Sequence, residues 1–333
     1  MPSLTEISVV IPVYNESESI SRLSEALNAQ DFDDMEVIFV IDSRTTDDTL
    51  DKIRNMTGIL KENRIIIQEG TGVLGEARNL GLDAAKGRYV WFLDADDIPY
   101  PDFMKTMYGL AEDYKADVCQ CNFVRSHNLE YREPKWNDPR TTVMSGREAL
   151  YYRAGELIPV TAWSMLLRRE FLIENGLRFI EGSYAEDVDF IYRVLEKCET
   201  YCYYDKPMYL YYQNPASICF TKQNERGFSE VSAYKDLRKY FDSVGTEFND
   251  LFRRRAVLMM VRSSSHMDWD HFSKYIKSEE CKEMMSRELG DPLSPEHVWL
   301  RISPLSYYIT INIFLKYIYY RNGKIFGRRL KRT

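Results

Sequence analysis

Four short apolar runs, each of strand length and each closed by polar residues, alternate with amphipathic helical patterns in residues 1–120. Ile7–Val13 is β-branched and ends at Tyr14-Asn15-Glu16, and Met35–Ile41 ends in Asp42-Ser43-Arg44-Thr45-Thr46-Asp47. Arg64–Gln68 leads into Glu69-Gly70-Thr71-Gly72-Val73-Leu74-Gly75, and Tyr89–Leu93 stops abruptly at Asp94-Ala95-Asp96-Asp97. Between them, Glu18–Ala29 puts Ile20, Leu23 and Leu27 on one helical face. A second helix runs through Leu50 and Ile53 with Thr46 or Asp47 as its cap, and a third, Glu76–Lys86, stops at Gly87. Strands buried on both faces are built from such apolar runs. Their alternation with helices is met by right-handed crossovers in a mostly parallel sheet. The expected fold class is α/β, a Rossmann-like, mostly parallel sheet flanked by helices. Ligands in such sheets bind beyond the carboxyl ends of the strands, so functional residues are expected at Tyr14–Glu16, Asp42–Thr46, Gly70–Arg78 and Asp94–Asp97.

The pattern continues with helix Pro101–Asp113, strand Asp117–Val124, a polar surface loop over 125–142, helix Gly146–Leu157 and strand Ala162–Arg168. Helix Asp187–Lys197 follows, with Val188, Ile191, Val194 and Leu195 as its apolar face, then short strands Thr200–Asp205 and Met208–Tyr212. Beyond residue 222 only helices are expected: Ser229–Ser243, Phe248–Met267 and Ser273–Glu288. The expected organisation is a catalytic domain over 1–222, with halves 1–124 and 125–222, and a helical C-terminal region over 223–333.

The length of 333 residues, 44 % hydrophobic and 29 % charged, suits a folded protein with a full core. A net charge of −7, without a basic face interleaved with aromatics in the first 220 residues, argues against nucleic-acid binding. The six cysteines form no Cys-x-x-Cys pair and read as buried free thiols of a reducing, cytoplasmic compartment. Residues 1–6 lack the charged-then-apolar design of a signal peptide, and no apolar run reaches the ~18 residues of a membrane span. The four histidines are scattered and no serine lies in a G-x-S-x-G context, which disfavours a zinc site and a hydrolase.

An Asp-x-Asp at a strand end can hold a hard divalent cation, because its carboxylates converge on one side, and a metal there invites a pyrophosphate. The same residues also read as a solvated acidic turn. Taken together, the four strand-end motifs resemble, in order, those of the family 2 glycosyltransferases of the GT-A fold. Ile7–Glu16 is similar to the family's opening strand and nucleotide-binding turn. Asp42–Thr49 resembles its D-S-x-S-T-D-x-T segment, with Arg44 where glycine is usual; Gly72–Asn79 resembles its G-x-x-x-A-R-N segment, and Asp94–Asp97 its D-x-D-D. The resemblance spans roughly residues 7–220.

The resemblance implies a nucleotide-sugar donor held by Pro12, Val13, Tyr14, Glu16, Asp42, Gly72, Arg78, Asp94 and Ala95, with Ser217 reaching the pyrophosphate. Asp42 would accept from the base imide or the ribose, or be an ordinary turn carboxylate. Arg78, at a helix N-terminus, suits a phosphate or the donor sugar, or an ion pair with Asp94 or Asp96. Asp96 would carry Mn2+ or Mg2+. Ser183–Phe190 matches the family's E-D segment, which makes Asp187 the base that deprotonates the acceptor and Glu186 a positioning acid; an N-cap with a first-turn acid would look the same. Trp163 lies in a segment similar to W-x-x-L-x-R-x-x-F and either packs on an acceptor sugar or belongs to the core.

From Val298 to Thr333 there is no acidic residue; Lys316 lies within the aromatic, aliphatic segment Leu305–Tyr320, and Arg301, Arg321, Lys324, Arg328, Arg329, Lys331 and Arg332 flank it. That composition suits an interfacial element on an anionic membrane, at the cytoplasmic face, or a packed C-terminal helix with a solvated basic end. The expected activity is metal-dependent, inverting transfer from a nucleotide sugar, a UDP sugar foremost, to a glycan or lipid-linked acceptor hydroxyl. The rival is an inactive nucleotide-sugar-binding subunit of a glycan-assembly complex. A nucleotidyltransferase would want a glycine-rich basic loop directly after the first strand, where this chain has Tyr14-Asn15-Glu16.

Overall fold

The computed structural model describes residues 5–56, 64–68, 73–129, 136–214, 217, 221–245, 248–289, 303–310 and 325–326. The chain forms two compact units, one of Met1–Gly182, Phe190–Asn214 and Gly323–Thr333, the other of Ser183–Asp189 and Pro215–Asn322.

The first unit is built on a ten-stranded sheet. Its strands are β1 Ile7–Val13, β2 Met35–Asp42, β3 Arg64–Gln68, β4 Tyr89–Phe92, β5 Ile98–Pro99, β6 Val118–Ser126, β7 Thr141–Met144, β8 Met165–Arg168, β9 Tyr201–Tyr212 and β10 Ile325–Phe326. The order is β3-β2-β1-β4-β8-β6-β9-β5, with β7 on β9 and β10 on β6. The first four strands run parallel, as their unbroken apolar runs require, and all seven residues of β1 are buried. β8 enters antiparallel between β4 and β6. Helices α1 Ser17–Asn28, α2 Thr49–Arg54 and α3 Leu74–Ala84 connect the parallel strands, and α4 Phe103–Tyr114, α5 Gly146–Ala154 and α6 Arg169–Glu174 follow. Under β4, Trp91 stacks on Phe103 at 4.2 Å, and its indole N–H donates to the Trp163 carbonyl at 2.8 Å. Full burial of one such side chain contributes about 2–3 kcal/mol.

The structure departs from sequence expectation where local polar bonds compete with the pattern. Asp48, not Thr46 or Asp47, is the N-cap of α2. Asp47 instead accepts from the Thr49 N–H at 3.1 Å and from the Ser17 N–H at 3.0 Å. Gly87 does not stop α3, which ends at Ala84; it lets β1 approach, since a Cβ there would lie 2.5 Å from the Ser8 nitrogen. Ala162–Ser164 is a 3-10 turn ahead of β8, where Gln120 donates to the Ser164 hydroxyl at 3.0 Å. The two strands expected over 200–212 are one, β9, because a bulge opposite Asn122 absorbs Pro207. β5 and β7 had no signature strong enough to read from the sequence.

The second unit is helical. α7, Glu186–Lys197, starts in it and continues into the first unit; α8 Gln223–Val244, α9 Phe248–Ser264, α10 Trp269–Lys277 and α11 Glu279–Leu289 complete it. The single helix expected over 273–288 is split at Ser278, whose extended backbone ends α10 and whose hydroxyl accepts from the Cys281 N–H. In helical residues 304–310, Tyr307 is buried and Tyr308 packs on Phe272 and Trp269 while donating to the Met267 carbonyl at 2.9 Å. Leu305 and Ile309, one turn apart, are exposed. Among the described residues, no helix is long and apolar enough to cross a membrane. The rest of the basic tail, 325–326 apart, lies outside the described residues, as does Cys219; the other five cysteines are buried free thiols.

Candidate active site

The carboxyl ends of β1, β2 and β4 and the start of α3 converge on one patch of the first unit. After β1, Asn15 adopts a left-handed backbone, φ 51°, which asparagine tolerates better than most residues. Its side chain accepts from the Thr46 N–H at 2.9 Å, tying the turn after β1 to the turn after β2. Glu16 is tied to the same turn through its own N–H and the Thr49 hydroxyl at 2.9 Å. Pro12 and Val13 are buried in β1, whereas the Tyr14 ring is exposed beyond it.

At the end of β2, Asp42 is buried and Arg44 forks onto it, Nε to Oδ1 at 3.0 Å and Nη2 to Oδ2 at 2.7 Å. The Arg44 bonds hold this carboxyl below its usual range despite burial. At the start of α3, Arg78 is 1 % exposed, bonded to Asp94 Oδ1 at 2.9 Å with Phe179 over its guanidinium at 5.3 Å. The adjacent Asn79 makes a two-way bond with the Phe179 backbone, accepting from its N–H at 3.0 Å and donating to its carbonyl at 2.9 Å. Gly72 lies outside the described residues.

Three carboxylates after β4 have separate surroundings. Asp94 is neutralised by Arg78. Asp96 is raised to about 6 by burial and then by Asp94, against hydrogen bonding from Asn214 and the charge of Arg22. Glu16 is raised to about 7 by burial and then by Asp96. Asp97 is fully buried and accepts from the Tyr212 N–H at 2.8 Å, pinning the end of β9 to this turn. Burial, then Asp96 and Asp94, push its carboxyl well up. Ala95 is buried between these acids. Fully ionised, these four carboxylates would outnumber Arg78 and Arg22, and a cation would relieve the mutual repulsion that raises Asp96 and Glu16.

Arg22 and Asn214 were not singled out from the sequence. Arg22 looks like any polar-face helix residue, and only its place one turn into α1 could have flagged it. Asn214 follows a strand end, the very signal used elsewhere. Trp163 is 4 % exposed, stacked on Tyr209 at 4.5 Å and edge-on to Phe123 at 4.6 Å, so the structure places it in the core instead of on an acceptor-facing surface. In the second unit, Glu186 and Asp187 form the first turn of α7, Glu186 buried and Asp187 partly exposed, at the positive end of the helix dipole. The Ser217 carbonyl there accepts from the Thr221 N–H at 3.0 Å. A cavity of about 300 Å³ between α3 and α6, lined by Leu82, Asp83, Leu172 and Arg178 among others, contains none of the strand-end residues.

A parallel β3-β2-β1-β4 block with acids at its carboxyl ends, continued by an antiparallel strand, is the GT-A architecture. The family model for glycosyl transferase family 2 matches residues 8–176, and the chain belongs to that family. It is 25 % identical over 256 residues to the uncharacterized glycosyltransferase YibD of Escherichia coli, covering 75 % of this chain and 74 % of that one. Its fold is similar to that of Staphylococcus aureus TarS 1–349, solved in complex with UDP-GlcNAc, with a TM-score of 0.62 and 19 % identity over 98 % of each chain. The mannosyltransferase PcManGT of Pyrobaculum calidifontis, solved with GDP-Man and Mn2+, follows at a TM-score of 0.50 and 16 % identity, over 92 % and 86 % of the two chains. The enzyme is a glycosyltransferase.

Proposed function

We propose that the enzyme transfers a sugar with inversion from a UDP-sugar donor to a hydroxyl of a glycan or lipid-linked acceptor, and that it requires a divalent cation. The observation that carries this reading is the crowding of Asp96, Glu16 and Asp97 at the carboxyl ends of β1 and β4 beside a buried Arg78–Asp94 pair, where the acids raise one another. Hard oxygen donors with surplus negative charge fit Mg2+ or Mn2+. Among the described residues no three metal-ligating side chains converge, so Asp96 would hold the ion with donor phosphates and water completing the shell. When bound, such an ion supplies Lewis-acid stabilisation of the departing diphosphate. TarS, solved with UDP-GlcNAc, and PcManGT, solved with Mn2+, support the donor type and the ion.

In this reading Arg78 fixes Asp94 toward the donor's ribose or sugar hydroxyls, and Asp97 holds the end of β9 so that Asn214 meets Asp96. Tyr14, Asp42 and the backbone of Pro12–Tyr14 frame base and ribose. Asp187 takes the acceptor proton as the oxygen attacks C1, with Glu186 positioning it and Ser217 serving the pyrophosphate. The test is UDP release from a panel of UDP sugars with Mn2+, with and without excess chelator. Release from at least one donor, abolished by chelator and restored by Mn2+, is expected; donor binding without turnover across broad acceptor sets would favour the inactive-subunit reading instead.

We further propose that the tail over 305–333 rests on an anionic membrane, at the cytoplasmic face. The exposed Leu305 and Ile309 and the run of basic residues after them support this reading. A chain ending at residue 296 is expected to lose co-sedimentation with phosphatidylserine-containing vesicles, and unchanged binding would sink the idea.

A further inference from the structure

Arg44 engages both Asp42, at the end of β2, and Tyr14, after β1, the two side chains given to the base and ribose in the reading above. Its side chain is 54 % exposed, yet it is held at three points, by two bonds to the Asp42 carboxylate and by the Tyr14 ring, 5.5 Å from the guanidinium carbon. A carboxylate has about four acceptor positions. Oδ1 takes the Arg44 backbone N–H at 2.9 Å and Nε at 3.0 Å, and Oδ2 takes Nη2 at 2.7 Å, so among the described residues Oδ2 keeps room for one more donor. The carboxylate alone would be a lone acceptor. With Arg44 forked onto it, the same edge shows an acceptor beside a cationic donor, and the guanidinium is planar and pre-set by its fork.

From this geometry we infer that Arg44 is a specificity-determining residue of the nucleotide site, which with Asp42 reads a base edge carrying an imide N–H next to a carbonyl. The inference rests on the nucleotide-sugar reading above and narrows it. Uracil presents that edge: its imide N–H meets Oδ2 while the adjacent carbonyl meets the guanidinium. Cytosine presents the reverse, a ring nitrogen acceptor facing Oδ2 and an amino group facing a cation, and is refused by both partners. A site built to bond one such edge rejects its mismatch far more strongly than an apolar pocket can.

The experiment is calorimetric titration of the full chain with UDP and with CDP, for wild type, Arg44→Ala, Arg44→Gln and Arg44→Lys, with thermal melts to confirm folding. Wild type is expected to prefer UDP. Arg44→Ala should lower the UDP-to-CDP affinity ratio by about tenfold or more, mainly through weaker UDP binding. Lysine should restore part of the ratio, because it keeps the charge and loses the fork. Glutamine covers the case in which the alanine variant fails to fold, and is expected to lower the ratio as well. An unchanged ratio in the folded variants, or tighter UDP binding by Arg44→Ala, overturns the inference and makes Arg44 a cover that the base must displace. Wild type that binds neither nucleotide overturns the donor reading itself, an outcome distinct from both.

Discussion

Asp187→Asn is expected to lower sugar transfer by about 10²–10⁴-fold while leaving UDP binding intact, since removal of a positioned general base costs about that much. Asparagine matches the carboxylate in size, so the first turn of α7, with Glu186 buried beside it, keeps its shape. The measurement is steady-state UDP release at saturating donor, paired with calorimetric UDP affinity for the same preparation. Unimpaired turnover would reduce Asp187 to a helix-start acid and send the search for the base elsewhere. A parallel loss of turnover and UDP affinity would instead point to a damaged fold.

The second large effect is expected at Arg78. Alanine there removes a buried cation and leaves Asp94 facing Asp96 with only the charge of Arg22 opposed to them. Breaking a buried ion pair from one side costs about 3–5 kcal/mol. Asp94 keeps 21 % of its side chain in water, so a loss near the lower end, about 3 kcal/mol, is expected. Urea unfolding of Arg78→Ala, Asp94→Asn and the double variant checks it. The double variant should be less destabilised than the two single losses added together, because the second change removes the charge stranded by the first. Additive losses would show that the pair is incidental to the patch. Transfer activity should fall in all three.

The parallel half of the sheet was legible because the pleat and the core demand unbroken apolar runs, and Ile7–Val13 and Arg64–Gln68 are strands at their expected bounds. The acids after Phe92 were legible for the same reason, since charge is expelled to strand ends. Three things were not. The antiparallel entry of β8 depends on pairing between residues 89–91 and 166–168, which no local pattern encodes. Trp163 was ambiguous between sugar platform and core because an aromatic suits both, and only the ring stack with Tyr209 decides it. Asp97 looked like one more acid of the turn; its bond to the Tyr212 N–H, 115 residues along the chain, makes it a fastener of β9.

The antiparallel seat of β8 also orders the chain's assembly in time. During synthesis β1 to β4 can pair once residue 92 has left the ribosome, but the outer edge of β4 gains its neighbour only when residues 165–168 follow. Until then the backbone of Tyr89-Val90-Trp91 offers an unpaired, strongly apolar edge, the kind of template on which nascent chains join one another. Closing it demands a long-range loop, which is slow. The strand that delivers the acids to the patch thus keeps one open edge throughout the synthesis of residues 93–164.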